Sequence, residues 1–179
     1  MKRFFECVSG VAAALAFVVV PGTAFAQLPP DLTLVECSQG NQRQNYAPAI
    51  SLFARHTDVT GTGQLSSCMA SSDPGLAFGS FTITGAGTAS CFVSSLSTQN
   101  TVTWNDGTQS TIDFIGGVDV RPPALPTVTL LGRVSGGRYE GALAIKTMDV
   151  SAIPGLTQCL LSGVRSASAN ISFSLFRLF

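Results

Sequence analysis

His56 is the chain's only histidine, and Asp58 follows two residues later. On a strand, residues two apart face the same side, so the carboxylate could orient the imidazole. A hydrolase of that kind needs a serine held against the base. Serine is abundant, yet no G-x-S-x-G elbow occurs, and Ser135 in GRVSGG lacks its spacing. His56 therefore reads first as a surface or edge histidine. A glycosidase would need two carboxylates. Asp113 and Asp119 share an outward parity on one stretch, and Glu140 is outward on another. Solvated strand faces routinely carry such charges, and no acidic run has calcium-loop spacing. Gly61-x-Gly63 and Gly85-x-Gly87 lack the third glycine and the helix of a dinucleotide loop, so they read as strand bends or bulges. No catalytic residue, cofactor or metal is assigned from these motifs.

Cysteine usage is more telling. Cys7 lies near the N-terminus, and Cys37, Cys68, Cys91 and Cys159 are spread along the rest. An even number in an exported chain reads as two disulfides. A zinc site would need clustered ligands, and there is no C-x-x-C pair and only one histidine.

Export itself is written in residues 1–26. Lys2 and Arg3 give a positive start, Val8 to Val20 is apolar and uncharged, and Ala24-Phe25-Ala26 is a small-x-small cleavage site. This predicts a signal peptide helix removed before Gln27. Its apolar run of about 13 residues is too short to span ~30 Å of bilayer. Gln27 to Phe179 then forms one secreted domain, long enough for a real core. The whole chain has a formal net charge of zero, and losing Lys2, Arg3 and Glu6 leaves one negative charge in excess. That balance makes nucleic acid a poor partner. No later apolar stretch is long enough for a spanning helix, so no membrane association is expected after cleavage.

Strands must position whatever this domain uses. Gly79 to Val93 reads GSFTITGAGTASCFV, with Phe81, Ile83, Gly85, Gly87, Ala89, Cys91 and Val93 on one face and Ser or Thr at most alternate positions. A period of two places one face in a core and one in water. Val59, Gly61, Gly63 and Leu65 alternate likewise, as do Ile112, Phe114, Val118 and Val120. Asp73-Pro74-Gly75 and Asn105-Asp106-Gly107 are turn signals. Gly136-Gly137 reads as a two-residue hairpin turn, which puts Tyr139, Gly141, Leu143 and Ile145 inward and Arg138, Glu140 and Lys146 outward. Gly40 to Gln44 and Ser94 to Gln99 read as polar turn and loop, and Asp149 to Ser162 as a loop. The last segment, Gly163 to Phe179, turns Ala167, Ala169, Ile171, Phe173 and Leu175 inward. The expected fold is all-β: seven or eight antiparallel strands in a sandwich or a small closed barrel.

A meander also orders the cysteines. If the strand ending at Cys68 runs up, the next leaves Cys91 at the bottom. Four further strands bring the segment holding Cys159 to the bottom too, and the first strand starts with Cys37 at the top. Of three possible pairings, Cys37–Cys68 and Cys91–Cys159 are favoured by reach.

The signal peptide, Asp73-Pro74-Gly75, GSFTITGAGTASC at Gly79 to Cys91, TVTWNDGTQST at Thr101 to Thr111, GRVSGGRYEG at Gly132 to Gly141 and Cys159 before SGV form a recurring set. In these stretches the chain resembles small secreted, disulfide-bonded β-proteins of actinobacteria that have no assigned function. The resemblance implies secretion and a β-fold, and no activity.

The function expected is that of a secreted, non-enzymatic β domain at or outside the cell surface. It would use strand faces rich in Thr and Ser against an extracellular or cell-wall ligand, as a monomer. The alternatives are a small-molecule carrier barrel with an apolar interior near Trp104 and Tyr139, and a hydrolase through His56 and Asp58. The last residue, Phe179, also suits an outer-membrane barrel, but such a barrel needs an apolar outward band and the outward faces here are hydroxylated.

Overall fold

The computed structural model describes residues 32–115, 119–120, 127–149 and 156–177. The signal peptide, Gly116-Gly117, Val118, the Pro-rich segment 122–126 and Phe179 lie outside them. The elements run β1 (Thr33–Ile50), β2 (Arg55–Ala70), β3 (Gly79–Ala89), β4 (Val93–Trp104), β5 (Gln109–Phe114), β6 (Asp119–Val120), β7 (Thr127–Gly137), β8 (Leu143–Asp149), α1 (Leu156–Leu161) and β9 (Val164–Phe176).

All pairings are antiparallel. Chain neighbours pair in turn, β9 returns to β1, and β3 also pairs with β4. That last contact closes eight strands into an up-and-down barrel and rules out the sandwich. The two-residue β6 pairs with Val93 and Ser94 of β4, beyond the stretch of β4 that β5 occupies. Among the described residues, closure leaves no long edge strand.

Inside positions follow the alternation along β3, β7 and β9. Phe81, Ile83, Val102, Ile112, Phe114, Val134, Ile171, Phe173 and Leu175 are all buried. An eight-stranded barrel has an interior just wide enough for side chains. Glycines let large rings fit: a Cβ on Gly63 would stand 2.2 Å from the Phe81 ring, and one on Gly132 would stand 2.8 Å from Phe114.

Four sequence expectations need correction. Gly40 to Gln44 is no turn; it lies in the middle of the 18-residue β1. The inward side chain there is Gln42, which is buried despite its polarity, so hydrophobic alternation disappears. Ser94 to Gln99 is likewise strand, paired along its length with β3; its alternation is weak because inward Leu96 and Thr98 are only half-buried and the next inward residue is Asn100. The segment before β9 contains the short helix α1, whose end is marked by Gly163 at φ +74° with its N–H on the Gln158 carbonyl.

The fourth correction has the widest consequence. The chain does not turn at Gly136-Gly137. β7 continues to Gly137, and the turn spans residues 138–141, with positive φ at Gly137, Tyr139 and Gly141. Val134 consequently pairs with Ala142, and Gly132 with Ala144. The register of β8 is thus displaced by three residues, and any odd displacement moves every side chain of a strand to the opposite face. So Ala142, Ala144, Lys146 and Met148 are buried, and Lys146 is inside the barrel rather than outside.

Two disulfides clamp the ends. Cys37 bonds Cys68 directly across β1 and β2, with Cα atoms 3.9 Å apart. At the other end Cys91, just past β3, bonds Cys159 of α1, with Cα atoms 5.9 Å apart. These are the pairs that the meander favours.

Candidate functional site

Three places bring functional side chains together: the upper end, the interior and one outer wall. At the upper end, Trp104 finishes β4 and is 2% exposed. Its Nε1 donates to Ser110 Oγ at 2.9 Å, and Ser110 in turn donates to the Arg138 carbonyl at 2.6 Å. The indole meets Tyr139 edge to face at 6.2 Å and Phe173 at 6.5 Å. The two aromatics singled out in the sequence are therefore neighbours, packed as a plug. A cleft of about 440 Å3 lies beside Tyr139, lined also by Arg133, Glu140 and Arg177; Trp104 is not part of its lining.

Polar contacts lock the loops above this plug. Asn105 Oδ1 accepts from the Ala77 N–H at 3.0 Å, and its Nδ2 donates to the Gly75 carbonyl at 2.9 Å. Arg138 pairs with Asp73 at 2.5 Å and also with Asp106. The Arg138 hydrogen bond holds the Asp73 carboxyl below its ordinary value. For Asp106 the Thr108 hydroxyl is the largest cause of a lowering to which the Thr108 N–H and Arg138 also contribute. These groups join the turns after β2, β4 and β7, which is a structural task.

Inside the barrel, Lys146 is 1% exposed. Beyond residues 1–26 it is the chain's only lysine. Its ammonium stands 4.6 Å from the Phe114 ring centroid and 5.7 Å from that of Phe81, an arrangement that favours a cation. With the Asn100 carboxamide turned so that its oxygen meets the amine, that oxygen accepts from Nζ at 2.9 Å. Burial dominates nonetheless and lowers the amine to about 7. Gln42, also buried, donates from Nε2 to Met148 Sδ at 2.8 Å, while its Oε1 has no partner among the described residues. Sequence reasoning missed this polar interior. For Lys146 the signal is the length of the 138–141 turn, which sets the face of β8.

The outer wall of β1 to β5 is the most extensive array. Register aligns its side chains into rows. Arg43 pairs with Thr62, Thr62 with Thr82, Thr82 with Thr101, and Thr101 with Thr111. A second row runs Asn41, Gln64, Ser80, Thr103 and Gln109, and a third runs Asn45, Thr60, Thr84, Gln99 and Asp113. Threonine suits a strand because its branched Cβ packs on the pleat, and it leaves a hydroxyl outward. A groove of about 550 Å3 crosses the upper part of this wall, with Gly63 and Phe81 among the residues that line it. Within it Gln109 Nε2 donates to Thr103 Oγ1 at 3.1 Å. Among the described residues, the side chains of Arg43, Thr62, Gln64, Ser80, Thr82 and Thr101 have no protein hydrogen-bond partner.

The catalytic candidates do not assemble. His56 Nε2 and Asp58 Oδ1 are 3.7 Å apart, with side chains 72% and 69% exposed. The residues registered opposite them are Thr88, Ala86 and Ala47, none of them a serine. Asp113 is held by Gln99 Nε2 at 2.8 Å, and Glu140 sits in the 138–141 turn rather than on a strand face. The side chain of Asp119 is outside the described set. Among the described residues no cluster of His, Cys, Asp and Glu could hold a metal, and no helix is long and apolar enough to cross a membrane.

Comparison with protein-family models, with curated proteins and with solved structures returns no match. The fold and the geometry define a small closed β-barrel with two disulfides, a largely apolar core and one extended polar wall.

Proposed function

We propose that this protein is exported and acts outside the cell as a non-enzymatic binding barrel, through the outer wall of β1 to β5. The observation that carries the reading is the aligned rows of hydroxyl and carboxamide side chains, among which Thr62, Gln64, Ser80, Thr82 and Thr101 have no hydrogen-bond partner among the described residues. Export is supported by the residue pattern of positions 1–26 and by two disulfides, which form and persist in oxidising compartments. An interior ligand is disfavoured by the rings of Phe81 and Phe114, which pack into the space left by Gly63 and Gly132.

The test uses the purified protein and isolated envelopes of the producing cell. Wild-type protein is expected to sediment with the envelopes. A T62V/T82V/T101V variant keeps side-chain shape and removes three hydroxyls, so its affinity is expected to fall at least ~10-fold, at roughly 0.5–1.5 kcal/mol per hydrogen bond. Equal sedimentation of the two proteins, or none of either, would contradict the reading.

A further inference from the structure

Resting on that reading, we infer that the ligand of the wall is an acidic polysaccharide, a polyhydroxylated chain carrying carboxylates. The groove across β1 to β5 has about the volume of a small-ligand site, at 550 Å3. Hydroxyl and carboxamide groups both donate and accept, which suits the mixed donor and acceptor pattern of sugar hydroxyls. One formal charge interrupts this neutral field. Arg43 lines the groove, no carboxylate lines it among the described residues, and the guanidinium has no ion-pair partner there. A free guanidinium amid hydroxyls is a bidentate receptor for a carboxylate. On the inner side, the Phe81 ring that lines the groove carries the Lys146 amine 5.7 Å from its centroid. Lys146 is buried inside the barrel behind that ring, so Arg43 is the one cationic side chain among the described residues that line the groove.

A neutral polysaccharide would leave Arg43 without a counterpart. A densely charged one, such as a nucleic acid, would need a row of cations that the groove lacks. A uronate polymer meets both constraints, with many hydroxyls and spaced carboxylates.

Affinity electrophoresis tests the inference, with polygalacturonate cast in one native gel and dextran in another. The protein is expected to be retarded by polygalacturonate and not by dextran, and added salt should weaken the retardation. R43Q, a change at an exposed strand position, should lower the affinity for polygalacturonate about 10-fold while leaving the thermal midpoint unchanged. Retardation by dextran as strong as by polygalacturonate, with R43Q behaving as wild type, would overturn the acidic assignment and leave the wall reading standing. Retardation by neither gel would overturn the assignment as well, and envelope sedimentation then decides the wall reading separately.

Discussion

Lys146→Met should give a protein more stable than the natural one at pH 6, by on the order of 4 kcal/mol. Below about pH 7 the buried amine is charged in the folded and the unfolded chain alike, so the barrel bears the full cost of a desolvated cation. Between about 7 and the ordinary lysine value of 10.5, the unfolded chain still binds the proton that the barrel has released. Stability of the natural protein therefore rises with pH through that window. Methionine has a similar length, fills the same space and has nothing to ionise, so its curve should lack that rise. The two curves converge near pH 10.5. The interaction with the Phe rings and the Asn100 oxygen reduces the cost without cancelling it, because one acceptor serves three donors. Urea unfolding of both proteins at pH 6, 8 and 10 reads the effect. Equal stability at pH 6, with no difference in slope, would mean that Lys146 faces water and that β8 has the opposite parity.

The second large effect is expected at the lower end. The bond between Cys91 and Cys159 spans 68 residues of sequence. Removing it as C91S/C159S frees a long loop in the unfolded chain and should cost about 4 kcal/mol. A helix of six residues has almost no stability of its own. α1 is held by the bond, so the variant should also become sensitive to protease at residues 156–161. C37S/C68S should cost less than the loop length of that bond suggests. Those two residues face each other across strands whose register runs without a break from Val35 to Ala47, which holds β1 to β2 independently. Denaturant midpoints of the two double variants, compared with wild type, separate these contributions. Equal losses, or a larger loss for C37S/C68S, would mean that the lower bond does not anchor α1.

These expectations show which parts of the molecule were legible in the residues. Strands that line an apolar part of the core announced themselves through alternation, as Phe81 and Ile83 do against Thr82 and Thr84. The cysteine pairs followed from strand direction, since a meander decides which end each cysteine reaches. Strands that line the polar part stayed hidden, because Gln42 and Asn100 break the pattern that marks an inward face. The face of β8 is hidden for a different reason. Turn length sets register, and a turn with left-handed residues at Gly137, Tyr139 and Gly141 has no signature that separates it from a tight Gly-Gly hairpin. The candidate wall was partly visible as a surfeit of outward threonines. Their alignment into rows depends on the register of five strands, which no single segment contains.

The claim on which the functional account rests is that recognition belongs to the outside of β1 to β5. Amide chemical shifts followed by NMR, while soluble envelope polysaccharide from the producing cell is added, test it directly. The expected result is movement at Arg43, Thr62, Thr82 and Thr101, with Trp104, Ile112 and Lys146 unmoved. Shifts confined to the interior residues, with the wall silent, would contradict it.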